Sequence, residues 1–148
     1  MKLQKLISKL EKHHKKKLDL SLARTFNLLK KLGNPQDKLK TVVTVVGTNA
    51  KASMCYSLKS ILNQAGHKTN LYTSPHILSY TERYIFDDKE INEEDLIELL
   101  TGVEKTLGDD NATLFEILTC AFLKYAENFK DNINIIEAGL FHQFDSTH

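Results

Sequence analysis

The sequence predicts an α/β fold, and three observations carry that prediction. Residues 41–46, 68–73 and 133–136 are short runs with the length and composition of strands, two of them rich in Val, Ile and Thr. Stretches with apolar residues three and four apart lie before and between these runs, as amphipathic helices do. The first run meets Gly47-Thr48-Asn49 and then Lys51 and Ser53 at the head of a helical pattern. Strand, loop and helix in that order put backbone N–H groups, a cation and a hydroxyl where phosphates can be held. The expected architecture is a three-layer, P-loop NTPase-like domain with a mostly parallel sheet, and an incomplete one.

Composition narrows the class. A chain of 148 residues is long enough for one domain with its own core. Its 41% hydrophobic and 26% charged residues suit a globular protein. A net charge of +1 argues against bulk nucleic-acid binding, and the run His13-His14-Lys15-Lys16-Lys17 reads as a solvated face or linker. Cys55 and Cys120 stand far apart without a CxxC, so neither a disulfide framework nor a zinc site is suggested. Two ordinary thiols fit a reducing cytosol, and a cytoplasmic location is expected. No apolar run approaches a membrane span, and the N-terminus lacks a signal-peptide core.

In chain order, Leu3, Leu6, Ile7 and Leu10 give a short amphipathic helix, and Leu22, Phe26, Leu29 and Leu32 a second, closed by Gly33 and Asn34-Pro35. The strand at 41–46 is apolar almost throughout, as a strand buried on both faces would be. After the loop, Met54, Leu58, Ile61, Leu62 and Ala65 share one helix face that ends at Gly66. The strand at 68–73 then closes a β-α-β unit, which places Ser74-Pro75-His76 just past its C-terminal end, where ligands bind in open α/β sheets. Tyr84-Ile85-Phe86 and Asp87-Asp88 read as a short strand and turn. Asn92 caps a helix bearing Leu96, Leu99, Leu100, Val103 and Leu107, with Gly108 after it. Thr113-x-x-Glu116 is a capping box for a broadly apolar helix with Phe115, Leu118, Phe122, Tyr125 and Phe129. The strand at 133–136 ends the series, with Glu137 at its C-terminal end. Three parallel-type strands leave one sheet edge unpaired, so self-association through that edge is a further expectation.

The loop departs from G-x-x-x-x-G-K-[ST]. Ala50 replaces the glycine before the lysine, Ser53 is one residue late, and positions 42, 44 and 45 hold no glycine. Lys51 would neutralise β/γ-phosphate charge; as an ordinary first-turn residue it would oppose the helix macrodipole. Ser53 could place a hydroxyl on Mg²⁺, though a serine early in a helix is common. Glu137 stands where a Walker-B-type carboxylate sits, and hard oxygen ligands suit Mg²⁺. Glu116 is explained by its capping box alone. His76 and His142 could each be a ligand or base, or plain surface histidines. Asp145 could position a substrate or belong to a turn.

Five blocks in order add a resemblance. They are Leu18-Asp19-Leu20-Ser21-Leu22 running into Leu32-Gly33-Asn34-Pro35-Gln36; Gly47-Thr48-Asn49-Ala50-Lys51-Ala52-Ser53; Leu71-Tyr72-Thr73-Ser74-Pro75-His76 with Thr81-Glu82-Arg83; Phe115-Glu116; and Ile136-Glu137-Ala138-Gly139-Leu140 with Asp145-Ser146-Thr147. The chain resembles the N-terminal part of folylpolyglutamate synthase/dihydrofolate synthase, within the Mur-ligase-like ATP-dependent ligases. That resemblance implies an enzyme joining L-glutamate to a folate: ATP phosphorylates the folate carboxylate and the glutamate amine attacks the acyl phosphate. It implies ATP and Mg²⁺ as cofactors, with Gly47, Thr48, Asn49, Ala50, Lys51, Ala52 and Ser53 in the ATP loop. Ser74 and Glu137 would join Ser53 as magnesium ligands, and Thr73, Pro75, His76, Arg83 and Asp145 would lie on the folate side.

The family's loop reads GTNGKGS, so Ala50 and Ala52 replace two glycines; Phe141 and His142 replace two more in its GLGG run, and His148 replaces an asparagine. The family's chains are much longer. The expected organisation is a helical lead-in over 1–40 and a P-loop α/β core over 41–148, with the C-terminal ligase domain absent. A catalytically inactive partial chain, or a partner-dependent half-domain with weak or no nucleotide binding, is the alternative.

Overall fold

The computed structural model describes residues 2–13 and 22–139. The elements are α1 (Leu3–His13), α2 (Ala23–Lys31), β1 (Thr41–Val45), α3 (Lys51–Gln64), β2 (Thr69–Tyr72), β3 (Tyr84–Phe86), β4 (Lys89–Glu90), α4 (Glu93–Leu107), α5 (Leu114–Ala126) and β5 (Ile133–Glu137). The sheet order is β1-β5-β2-β3-β4. β5 pairs in parallel with β1 on one side and β2 on the other, and the β3–β4 hairpin adds antiparallel pairs beyond β2. The fold is therefore α/β with a mostly parallel sheet. Leu18, Asp19, Leu20, Ser21 and the segment 140–148, with His142 and Asp145, lie outside the described residues.

Two unlike layers cover the sheet. α5 lies on one face, where Phe122 stacks on Tyr72 and Phe86, and Tyr84 donates its hydroxyl to the Leu118 carbonyl at 2.8 Å. α1, α2 and α4 complete this side, burying Leu3, Leu6, Ile7, Leu10, Leu28, Leu96 and Leu100 in one continuous cluster. Among the described residues α3 covers the opposite face, over a small cluster of Cys55, Leu71 and Ile135.

The local signals explain most ends. Asn92 accepts the Asp95 N–H at 2.8 Å, and three acids in the first turn of α4 suit the positive end of its dipole. Thr113 and Glu116 exchange the two hydrogen bonds of a capping box at the head of α5. Arg24 and Thr25 of α2 also reach Glu116, so the capping carboxylate ties two helices together. Near the start of the parallel strands three buried amides interlock. Asn70 donates to Asn134 at 2.9 Å, Asn132 to Asn70 at 3.0 Å, and Asn134 to the Thr41 carbonyl at 3.2 Å. Because each amide needs its partner, this ladder fixes the register of β2, β5 and β1.

Three expectations need correction. β1 is not buried on both faces: Val42 is 46% exposed, and Val46 just past its end 50%, because β1 stands at the end of the strand order. On α3, Met54 and Ile61 are 59% and 65% exposed, and Cys55 is the residue turned fully inward. Lys59 and Asn63 of the same helix reach Asp88 in the β3–β4 turn. Phe26 is exposed on α2, whose buried residues are Thr25, Leu28 and Leu29. The β-α-β unit forms as expected, with β1 and β2 both parallel to β5, which inserts between them. Apolar spacing reports a face, but not whether a neighbour covers it.

Candidate functional site

The loop after β1 and the head of α3 form the first part of the site. Gly47 has φ +150°, a backbone region that disfavours side chains. Ala50, at the N-cap of α3, sits in the left-handed region at φ 60°, ψ 14°, and makes no side-chain capping bond. The first N–H groups of α3 therefore meet no side-chain cap and face outward with the exposed loop Gly47, Thr48 and Asn49. Lys51 folds back so that its Nζ donates to the Gly47 carbonyl at 3.0 Å, which keeps the cation over the loop. Ala52 and Ser53 lie exposed in the first turn of α3. The two alanines thus differ: Ala50 has the backbone conformation that favours glycine, and Ala52 is ordinary helix.

The second part comes from the strand ends. Glu137 pairs in register with Val45, two residues before Gly47, and the Ala138 N–H donates to the Val45 carbonyl at 3.0 Å. Glu137 is 4% exposed, and its Oε2 accepts the Ser74 backbone N–H at 2.9 Å. No Lys or Arg among the described residues forms an ion pair with it. A buried carboxylate with one backbone donor is a suitable place for a hard cation. The Cys55 thiol is pushed up to about 12, first by burial and then by the Glu137 charge, with Lys51 opposing; Glu137 and Lys51 thus both act electrostatically on the first turn of α3. Among the described residues no cluster of three or more His, Cys, Asp or Glu side chains forms a metal site of their own.

The third part is the segment between β2 and β3. Thr73 is buried and its N–H donates to the Arg83 carbonyl at 3.2 Å. The Arg83 Nε donates to His76 Nδ1 at 2.9 Å, its guanidinium lies 4.9 Å from the Tyr80 ring centre, and the His76 and Tyr80 rings are 4.1 Å apart. Burial and then the Arg83 charge lower the His76 pKa. Glu82 accepts backbone N–H groups from Ile77, Leu78 and Ser79 at 2.8, 2.8 and 2.6 Å, and these bonds hold its carboxyl below the usual range. Pro75 follows Ser74 on the exposed side of this segment.

The structure thus gathers the loop, Ser74 and Glu137 at one sheet edge, and joins His76 to Arg83 beside them. The sequence reading missed two features. Ser74 meets Glu137 through its backbone and not its hydroxyl, which no side-chain pattern announces. Glu82 organises the 77–79 turn; the Ser79-x-x-Glu82 spacing of a capping box was the signal.

FolC from Escherichia coli in complex with DHPP and ADP superposes with a TM-score of 0.92 at 35% identity, over 99% of this chain and 35% of that one. This chain is similar to the N-terminal portion of the folylpolyglutamate/dihydrofolate synthases. The dihydrofolate synthase/folylpolyglutamate synthase of Escherichia coli K12 is 36% identical over 141 residues, 95% of this chain and 33% of the relative. The dihydrofolate synthetase of Saccharomyces cerevisiae is 33% identical over 132 residues, 88% of this chain and 31% of the relative. The Yersinia pestis bifunctional synthase complexed with AMPPNP and Mn ion has a TM-score of 0.91 at 31% identity, over 99% of this chain and 36% of that one. The synthase-like chain spans about a third of the length of the curated relatives it matches. No family model matches it. Among the described residues no helix is long and apolar enough to cross a membrane.

Proposed function

We propose that this chain carries the nucleotide-side and folate-side elements of an ATP-dependent amide ligase that joins L-glutamate to a folate through an acyl phosphate. The observation that supports it most is the buried Glu137 carboxylate, held by the Ser74 N–H beside the loop of Gly47, Thr48, Asn49, Ala50, Lys51, Ala52 and Ser53. The loop N–H groups and Lys51 would hold the ATP phosphates. Glu137, Ser74 and Ser53 fit a magnesium ion, which supplies positive charge against the transferring phosphoryl group when bound. Thr73, Pro75, His76 and Arg83 would face the folate, and Asp145 is proposed with them from the sequence. A cytoplasmic setting accords with this chemistry. Exposed Val42 in β1 and Val46 just past it support self-association, and a monomer throughout a sedimentation series would end that idea.

One observation favours a weaker reading, in which the chain is a half-domain with little nucleotide affinity of its own. Ala50 holds a left-handed backbone, which costs a Cβ-bearing residue about 1 kcal/mol. Calorimetry with Mg-ATP on the chain and on Ala50→Gly separates the readings. Micromolar binding by the wild type supports a competent loop, and binding by Ala50→Gly alone identifies the loop as the lesion. Absence of binding by both folded proteins, with or without the C-terminal region of a synthase added in trans, would count against the ligase reading.

A further inference from the structure

Arg83 is the cation of the segment between β2 and β3, and its surroundings are unusual for a surface arginine. Its sequence neighbour Glu82 could pair with it, but that carboxylate is committed to the N–H groups of Ile77, Leu78 and Ser79. Among the described residues Arg83 makes two side-chain contacts, Nε to His76 Nδ1 and the guanidinium over the Tyr80 ring, and neither neutralises its charge. A guanidinium carries five donors in a planar fork. His76 uses the one on Nε, so the terminal pair of nitrogens is left in a plane fixed from one edge by His76 and from one face by Tyr80. That pair is the part of an arginine that grips a carboxylate or phosphate with two parallel hydrogen bonds.

The His76 ring is itself fixed. It lies against Tyr80 at 4.1 Å between ring centres, and Nδ1 acts as the acceptor, which places the ring proton on Nε2. Two side chains from one short segment, His76 and Tyr80, thus lock a single charged group, while the two apolar residues at its tip, Ile77 and Leu78, stand out in solvent. Immobilising an arginine costs side-chain entropy, and a lock built beforehand removes that cost from the binding step.

We propose that His76 is a positioning residue: by accepting from Arg83 Nε against the Tyr80 ring, it aims the Arg83 fork at an oxyanion of a ligand bound at the C-terminal end of β2. The assignment of that oxyanion to a folate-type carboxylate rests on the function proposed above; a phosphate would use the same fork.

Two readouts on the purified, isotope-labelled chain test it. The first is the Arg83 Nε–H resonance, assigned by its loss in Arg83→Lys. In the wild type it should exchange slowly with water. In His76→Phe, which keeps a ring against Tyr80 and loses the acceptor, exchange should accelerate roughly tenfold or more. His76→Asn places an amide oxygen near the position of Nδ1 and should restore slow exchange. The second readout is titration with pteroate and, separately, inorganic phosphate. Binding that shifts the Arg83 signals, weakens about tenfold in His76→Phe and recovers in His76→Asn supports the proposal. If phosphate shows this pattern and pteroate does not bind, His76 still positions Arg83 and the folate-side reading fails. Equal exchange and equal affinity in wild type and His76→Phe would overturn the proposal, as would Arg83 signals indifferent to both anions.

Discussion

The two faces of the sheet are built on different terms. The α5 face is thick: Phe122 meets Tyr72, Tyr84 and Phe86, and helices on both sides of α5 bury a further set of leucines. The α3 face is thin, with Cys55, Leu71 and Ile135 as its fully buried members. Yet the thin face holds the phosphate-type loop and Glu137. Stability is concentrated where no ligand chemistry is proposed, and the site lies where the backbone is only lightly covered. A loop that must admit a ligand cannot also be sealed by packing.

Substitutions can measure this contrast. The largest effect is expected at Phe122→Ala, which removes the ring shared by three aromatic contacts; urea unfolding should show a loss of about 3–5 kcal/mol. Ile61→Ala on the other side should change stability by less than about 0.5 kcal/mol. Similar losses at the two positions would refute the asymmetry. Glu116→Ala should cost about 1–2 kcal/mol in the same assay, since it removes the capping box and leaves the Thr113 N–H and the Thr25 hydroxyl short of an acceptor.

The two loop alanines should move in opposite directions. Ala50→Gly relieves a left-handed backbone and is expected to stabilise by about 1 kcal/mol. Ala52→Gly loosens ordinary helix and should destabilise by up to about 1 kcal/mol. The same sign for both in thermal melts would mean that Ala50 carries no strain.

Two smaller effects involve titration. Burial holds both thiols at about 12, so Cys55 and Cys120 stay protonated at pH 8 and should resist a disulfide reagent until the chain unfolds. Fast labelling of native Cys55 would show that the α3 face opens. Glu82 has a carboxyl lowered below its reference value of 4.5 by the N–H groups of Ile77, Ser79 and Leu78. A depressed carboxyl stabilises the fold above the unfolded pKa and loses that contribution as pH falls through the folded one. Amide exchange at Ile77, Leu78 and Ser79 should therefore accelerate, relative to the rest of the chain, below about pH 4. An unchanged ratio at low pH would remove Glu82 from its role in that turn.

The same contrast governs what could be read in advance. The thick side was legible because its signals are local and redundant. Leu3, Leu6, Ile7 and Leu10 are all buried, Asn92 and Thr113 cap as their spacing suggests, and Leu96, Leu100, Val103 and Leu107 face inward. The thin side misled. Val42, Val46, Met54 and Ile61 look like core residues by composition and are largely exposed, because burial depends on what lies beside a strand and not on the strand's own sequence. Of the site, Gly47, Lys51 and Glu137 were visible as residue types at strand ends. The backbone bond from Ser74 and the His76–Arg83–Tyr80 arrangement depend on side-chain directions in an irregular segment, which spacing does not encode.

The position of β5 has a consequence for how the chain is made. Among the described strands the one that joins β1 to β2 is made last, so a nascent chain emerging at ordinary rates carries an unjoined β1 for on the order of ten seconds before its partner exists. During that interval Thr41, Val42, Val43, Thr44, Val45 and Val46 form six consecutive β-branched residues without a charge, a sequence type prone to intermolecular stacking. The asparagine ladder spans the same late strand, since Asn134 holds both Asn70 and Thr41. Vectorial synthesis would therefore leave these strands without their register until β5 is made, and slow translation through α4 and α5 would lengthen the exposure of β1. A chaperone that binds short β-branched segments would act on this chain during synthesis more than after it.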